Sequence, residues 1–282
     1  MTEEVDNINL KYLSDIIQKN LLSILLFSIL LSLISFTSSF FFDRSYKSEA
    51  IIISSSNLGQ SSGLDGVSDL LGLGGSSSSK KVVEAIAILQ SRDFISNFLF
   101  KYGLEDYILG KSSLDVNKLK PDVDYSSNNN FDKKEIDGLT ARFKKRFISI
   151  DQSDQDGLIV LSLATKKAED SQIILNLIIK ELEFTMKNRY LNDKQNIIFS
   201  LEKILSESPD NNTKKIIQDI YNIEKRSLIS GKVKSNLIFE IIDAPHLPGG
   251  YHYPNRLRFI IFGFVFGFLL SYLYFFRKQI IQ

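Results

Sequence analysis

The chain has 282 residues and a formal net charge of +1, so bulk charge gives it no hold on nucleic acid. It has no cysteine, which excludes disulfide frameworks, thiol nucleophiles and Cys-ligated zinc, and it has only two histidines. The length outside the apolar spans described below suits one domain with a core of its own.

Residues 1–20 carry Ile8, Tyr12, Leu13, Ile16 and Ile17 at near-helical spacing, with charges between them. They read equally as a short amphipathic helix at a membrane surface or as an extension of the helix that follows. From Leu21 to Phe42 there is no charged residue. A membrane-crossing helix needs about 20 such residues, and this run is longer than a signal core and ends without a small-residue cleavage pattern, so it reads as an anchor. A second charge-free run, Phe259–Phe276, extends to a span over 257–276. It contains Gly263 and Gly267, a Gly-x-x-x-Gly spacing that suits close helix packing in lipid. Residues 43–256 then lie on one side of the membrane. The flanking charges, Lys11, Lys19, Arg277 and Lys278 against Arg44, Lys47, Arg256 and Arg258, are evenly matched and do not set the orientation. The short ends, 1–20 and 277–282, favour a hairpin with both termini cytoplasmic.

Between the spans, Ser45–Ile53 reads as a strand. Residues 54–79 are dominated by Ser and Gly, a composition that builds no core, yet Leu64, Val67, Leu70, Leu71 and Leu73 interrupt it. The stretch reads as a mobile loop with a short apolar turn, packed locally or against a neighbouring subunit or the membrane. Four serines separate Gly75 from Lys80, so no glycine stands directly before the lysine and a phosphate-cradling loop is not supported.

Lys81–Phe100 reads as one helix, with Val82, Ala85, Ile86, Leu89, Ile95 and Leu99 on one face. Residues 110–135 read as irregular, and a helix around Lys134–Lys145 follows. Strands Arg146–Asp151 and Leu158–Thr165 flank a turn at Gln152–Gly157. Thr165 is positioned to cap a long helix whose first turn holds Glu169 and Asp170. That helix carries Ile174, Ile178, Leu182 and Met186, then Ile198, Leu201 and Leu205. Pro209 breaks it, a second helix returns to about Leu228, and Leu237–Asp243 is the last strand. The order strand, helix, strand, strand, helix, strand is that of the split βαβ, ferredoxin-like sheet. The expected fold class is therefore an α+β membrane protein: two transmembrane helices flank a ferredoxin-like α/β base outside the membrane with a helical hairpin arm over 168–228. A strap over 244–256 leads from the base to the second span.

No nucleophile–base or metal set emerges. His246 and His252 lack a carboxylate or thiolate cluster, and Asp151, Asp154 and Asp156 lack the later bidentate Glu of a calcium loop. No cofactor or metal is expected. Arg142, Lys144, Lys145 and Arg146 form a basic run suited either to acidic sugars or lipid phosphates, or simply to a solvated helix face. In the strap, Pro245, Pro248 and Pro254 fix φ and remove backbone donors, so the segment is expected to stay out of the sheet as a stiff, extended connection ending at Arg256.

Particular residues resemble one family. Ile8–Lys19 runs into the first span, Ser91-Arg92-Asp93-Phe94 is similar to a Ser-Arg signature, and Asp243-Ala244-Pro245-His246-Leu247-Pro248 with Pro254-Asn255-Arg256 is similar to a repeated-proline motif ending in a basic residue. These resemble the polysaccharide co-polymerases, the Wzz-type chain length determinants. The match departs in the wide gap between Pro248 and Pro254 and in the short arm.

The resemblance implies inner-membrane anchors, a periplasmic domain and a homo-oligomeric ring. Its implied partners are a membrane-embedded polymerase, the polysaccharide chain or its lipid carrier, and the bilayer. It implies a non-enzymatic scaffold regulating the chain length of a lipid-linked polysaccharide of O-antigen/lipopolysaccharide type. The tyrosine-kinase domain of some relatives has no counterpart in Arg277–Gln282. The alternatives are an inner-membrane adaptor of a capsule export complex and, with little room for an output domain, a periplasmic sensor.

Overall fold

In the computed structural model the structure describes residues 10–54, 77–115, 119, 132–152, 158–207, 210–234 and 238–281. The elements in chain order are α1 (Leu10–Ser38) with a 3-10 turn (Ser39–Phe41), β1 (Tyr46–Ser54), α2 (Ser77–Gln90), α3 (Arg92–Lys101) and α4 (Glu105–Leu109). Then come α5 (Lys133–Arg146), β2 (Ile148–Gln152), β3 (Leu158–Thr165), α6 (Ala168–Glu207), α7 (Asn211–Val233), β4 (Phe239–Asp243) and α8 (Arg256–Ile281). They form two compact units, Met1–Ser45 with Gly250–Gln282, and Tyr46–Gly249.

The first unit is a pair of apolar helices. Gln18–Phe41 and Arg256–Arg277 are long and apolar enough to cross a membrane, close to the spans expected at 21–42 and 257–276. Leu22 is 74% exposed and Phe262 72%, an outward apolar surface that water would penalise and lipid would not. The segment before the first span is helical from Leu10, and a kink at Asn20 (φ −116°, ψ 16°) sets it off from the helix of the span, so α1 is two helices joined at that residue.

The second unit holds a sheet of order β2-β3-β1-β4 with every pairing antiparallel. β1 is central, running from Tyr46 opposite Thr165 to Ile53 opposite Leu158, and a bulge at Ile51/Ile52 shifts its register against β4. Alternation puts Ala50, Ile52, Ile159, Leu161 and Leu163 on the buried face. Val82, Ala85 and Leu89 of α2, Phe98 and Leu99 of α3, Phe143 of α5, and Ile174, Ile178 and Leu182 of α6 belong to the same core.

Several expectations are corrected here. The single helix expected over Lys81–Phe100 is two. Ser91 adopts extended angles (φ −70°, ψ 145°) and its Oγ accepts the Phe94 N–H at 3.1 Å, so it N-caps α3 and ends α2. The Ser-Arg pair therefore marks a helix start, and Arg92 Nε reaches Asp137 Oδ1 at 3.0 Å. Thr165 does not cap α6. It lies in β3 and its hydroxyl donates to the Lys167 carbonyl at 2.6 Å. Helix α4 was not anticipated; it is stopped by Gly110, whose φ of 77° suits glycine. A capping box at α5 was legible but passed over: the Asp132 carboxylate accepts a backbone N–H while Glu135 accepts the Asp132 N–H at 3.2 Å. The apolar turn expected at Leu64–Leu73, the turn residues 153–157 and Pro209 lie outside the described residues.

Helices α6 and α7 pair in the second unit. Asp210 caps α7 by accepting the Thr213 N–H at 3.1 Å. Between the helices a Lys194–Glu224 ion pair of 2.8 Å is nearly sealed, its side chains 9% and 1% exposed. Three polar ties hold α6 to the preceding helices. Lys101 Nζ donates to both Glu181 oxygens at 3.0 and 2.7 Å, the Tyr102 hydroxyl donates to Glu181 at 3.2 Å, and the Tyr107 hydroxyl donates to Asp170 at 2.9 Å. Burial, then the Glu181 charge, pushes the Tyr102 phenol up to about 12.

Candidate functional site

The strap is built from proline and glycine because it must leave β4 without continuing the ladder. The boundary between the two compact units falls within it, between Gly249 and Gly250. In the sheet-bearing unit, Pro245 is buried and Pro248 half-buried. The Gln172 side-chain amide donates to the Pro245 carbonyl at 3.0 Å, and the Ser48 hydroxyl donates to the His246 carbonyl at 2.7 Å. The strap's carbonyls thus find side-chain donors, which proline's missing N–H does not prevent.

In the helix-pair unit the segment makes one pairing, outside the strands of the sheet. Ser45 and Tyr253 form an isolated antiparallel bridge: the Ser45 N–H donates to the Tyr253 carbonyl at 2.9 Å, and the His252 N–H donates to the Ser45 carbonyl at 2.7 Å. Gly249–Tyr253 is the proline-free stretch of the strap, so its N–H groups are free to pair. Pro254 is buried and Arg256 half-buried.

Around this bridge the aromatic and basic side chains converge. Phe42 lies edge-on to Tyr253 with centroids 6.1 Å apart, and tilted against Phe259 at 5.4 Å. The Arg256 guanidinium sits 4.3 Å from the centroid of Phe40 and 5.4 Å from that of Tyr251, while Arg44 approaches the Tyr251 ring at 5.6 Å. Two cations share one tyrosine ring, whose negative face offsets their mutual repulsion.

Gly263 and Gly267 face α1 closely. A Cβ on Gly263 would lie 2.6 Å from Ser35 Cβ, 2.8 Å from Ser32 Cα and 2.9 Å from the Leu31 carbonyl oxygen. On Gly267 it would lie 2.8 Å from Ser28 Cα and 3.1 Å from Leu31 Cβ. The close approach lets α1 serines reach across: Ser35 Oγ donates to the Phe259 carbonyl at 2.7 Å and Ser32 Oγ to the Ile260 carbonyl at 3.0 Å. Sequence reasoning missed these serines. The signal was there in Ser28, Ser32, Ser35 and Ser39, small polar residues three or four apart on the partner helix.

The basic run does not present one face. Lys144, Lys145 and Arg146 are exposed in the last turn of α5, where the helix dipole favours cations. Arg142 is half-buried, its Nε sealed without a hydrogen-bond partner. Asp151 accepts the Ser149 hydroxyl at 3.3 Å, whereas Asp154 and Asp156 lie outside the described residues. The two histidines are exposed.

A family model described as Wzz, chain length determinant protein, matches residues 6–101. No curated protein matches the sequence. Among solved structures, a full-length bacterial polysaccharide co-polymerase aligns over 99% of this chain and 98% of its own, at 11% identity and a TM-score of 0.40. A fragment of WzzB, a polysaccharide co-polymerase from Salmonella Typhimurium, aligns over 74% of this chain and 100% of its own, at 18% identity and a TM-score of 0.35. A variant of the Shigella flexneri lipopolysaccharide O-antigen chain-length regulator WzzBSF aligns over 73% and 99%, at 13% identity and a TM-score of 0.29. The family match covers α1, β1, α2 and α3, and both Ile8–Lys19 and Ser91–Phe94 fall inside it; the proline segment does not. Over residues 6–101 the chain is thus similar to the Wzz chain length determinant family, the family its sequence resembles.

Proposed function

We propose that the chain is a non-enzymatic inner-membrane scaffold that regulates the chain length of a lipid-linked cell-surface polysaccharide of O-antigen type. The observation that carries the reading is the chain length determinant match over residues 6–101, which begins in an apolar helix that pairs with a second apolar helix at the other end of the chain. Both termini are cytoplasmic in this reading, and residues 43–256 form one periplasmic domain. The antiparallel order β2-β3-β1-β4 supports a ferredoxin-like base, with α6 and α7 as its arm. Copies assemble side by side into a homo-oligomeric ring beside the polymerase, since repeated head-to-tail contacts close when the rotation permits. Gly263 and Gly267 act as a transmembrane packing face, and the strap residues Pro245, Pro248, Pro254 and Arg256 relay the position of the base to α8. Lys144, Lys145 and Arg146 supply an exposed basic patch for acidic sugar or lipid headgroups, flanked by Arg142.

The test is deletion of the gene followed by gel analysis of the cell's polysaccharide, with complementation by wild type and by Pro248→Ala/Pro254→Ala. Loss of the modal length distribution on deletion, and a shifted distribution with the proline variant at normal protein level, are expected. An unchanged ladder on deletion refutes the reading. Single cysteines at Thr2, Ser208 and Gln282 test the topology, because the chain has no other. An impermeant thiol reagent on spheroplasts should label only Ser208→Cys, and labelling of the termini instead would invert it.

A further inference from the structure

We propose that Arg44 and Arg256, converging on the ring of Tyr251 where the two apolar helices emerge, form a binding site for the phosphate of a membrane-lipid headgroup. The proposal rests on reading the helices as membrane-spanning. It does not rest on the chain-length function.

The first observation is position. The span of α1 ends at Phe41 and that of α8 begins at Arg256, and the two helices pack antiparallel through Ser35 and Phe259. Phe40, Phe42, Tyr251, Tyr253 and Phe259 surround this end, the aromatic belt expected at headgroup depth. Arg44 and Arg256 therefore stand at the level of lipid phosphates.

The second observation is convergence. Guanidiniums repel one another, yet these two lie 5.6 and 5.4 Å from the same ring centroid. Among the described residues neither forms an ion pair with a carboxylate. Stacking uses the face of a guanidinium and leaves the in-plane N–H groups for an acceptor, and a phosphate accepts from such a fork in bidentate fashion.

The third observation is a partly desolvated donor. Arg256 stacks on Phe40 at 4.3 Å, and its Nε is sealed from solvent with no hydrogen-bond partner. A charge partly removed from water interacts more strongly with a counter-charge beside it. Arg256 is thus the anchor of the pair, and exposed Arg44 is the arm that closes on the ligand. The Ser45–Tyr253 bridge fixes the two segments in register and so presets their spacing.

The test uses the full chain in nanodiscs of phosphatidylcholine doped with phosphatidic acid, with retained lipid counted by native mass spectrometry. Selective retention of phosphatidic acid is expected, at least tenfold over phosphatidylcholine. Arg44→Gln, which removes only an exposed side chain, and Arg44→Gln/Arg256→Gln should lose it, while Arg277→Gln at the far end of α8 should keep it. Equal loss in Arg277→Gln would mean diffuse attraction and overturn the site, as would undiminished retention in Arg44→Gln. Displacement of the lipid by millimolar inorganic phosphate, with equal stabilisation of the chain in neutral nanodiscs, would overturn the lipid assignment in favour of free phosphate. Failure of the chain to enter nanodiscs would refute both the membrane reading and the proposal, whereas entry without selectivity would refute the proposal alone.

Discussion

Gly263→Ala should loosen the α1–α8 pair more than Gly267→Ala, although both add one methyl group to the same helix. At 263 the new Cβ meets three atoms under 3.0 Å away, two of them backbone. Backbone cannot yield by rotamer change, so α1 and α8 must separate. Separation strains the Ser35–Phe259 and Ser32–Ile260 hydrogen bonds, each worth about 0.6 kcal/mol in a membrane setting. Overpacking adds about 1–3 kcal/mol. Helix propensity opposes this, since Ala is better than Gly by about 1 kcal/mol. The net loss at 263 is then about 1–3 kcal/mol. At 267 only Ser28 Cα, at 2.8 Å, lies under 3.0 Å, with the next contacts at 3.1 and 3.3 Å, so the helices must still give way there but over fewer contacts, and the loss is smaller.

The assay is SDS titration of the full chain in mixed micelles. The distance between labels at Leu22→Cys and Tyr274→Cys follows the pair, both positions being exposed. The midpoint should fall for both variants, and further for Gly263→Ala than for Gly267→Ala. Ser35→Gly added to Gly263→Ala should recover only part of the loss, because Ser32 Cα and the Leu31 oxygen remain. Equal loss at the two glycines, or full recovery, would refute the packing argument.

Two further outcomes concern the sheet-bearing unit. Glu224→Gln or Lys194→Met alone should destabilise the α6–α7 hairpin by about 3–5 kcal/mol by leaving one buried charge unpaired, while the combined Lys194→Met/Glu224→Leu should return to within about 1 kcal/mol of wild type in chemical denaturation. Stability should also respond to pH at both extremes. Hydrogen bonds from the Thr213 backbone and hydroxyl hold the Asp210 carboxyl below its ordinary value, so its contribution is present above about pH 4 and is lost as pH falls through the depressed folded value. The Tyr102 phenol moves from 10.0 to about 12, so the unfolded chain ionises first and stability falls between those values as pH rises. Thermal melts of Asp210→Asn and Tyr102→Phe should show a smaller acid and a smaller alkaline loss respectively, the remaining alkaline loss coming from Tyr107, whose phenol burial also pushes up.

The amino-acid sequence by itself determined where the apolar helices run and most of the element order, because these follow from local quantities. Uninterrupted apolar length marks Gln18–Phe41 and Arg256–Arg277, short runs rich in Ile, Leu and Val mark β1 and β3, and the 3.6-residue period marks α6. Breaks and ends were less legible. Ser91 and Thr165 are both plausible caps by residue type, but Ser91 Oγ accepts the Phe94 N–H three residues on, whereas the Thr165 hydroxyl donates to the Lys167 carbonyl. What only the tertiary structure decided is which distant residues meet. Gly263 fits against Ser32 and Ser35 because the helices are antiparallel in that register, and no period within either helix fixes it. Arg44 and Arg256 share Tyr251 because Ser45 bridges Tyr253, a pairing between segments some two hundred residues apart. Conversely, Arg142 and Lys144–Arg146 are neighbours in sequence but differ in exposure, Arg142 being half-buried and the other three in water, a difference set by what packs around the helix. Local periodicity sets the elements, whereas packing, which sums weak contacts over non-local partners, sets the sites.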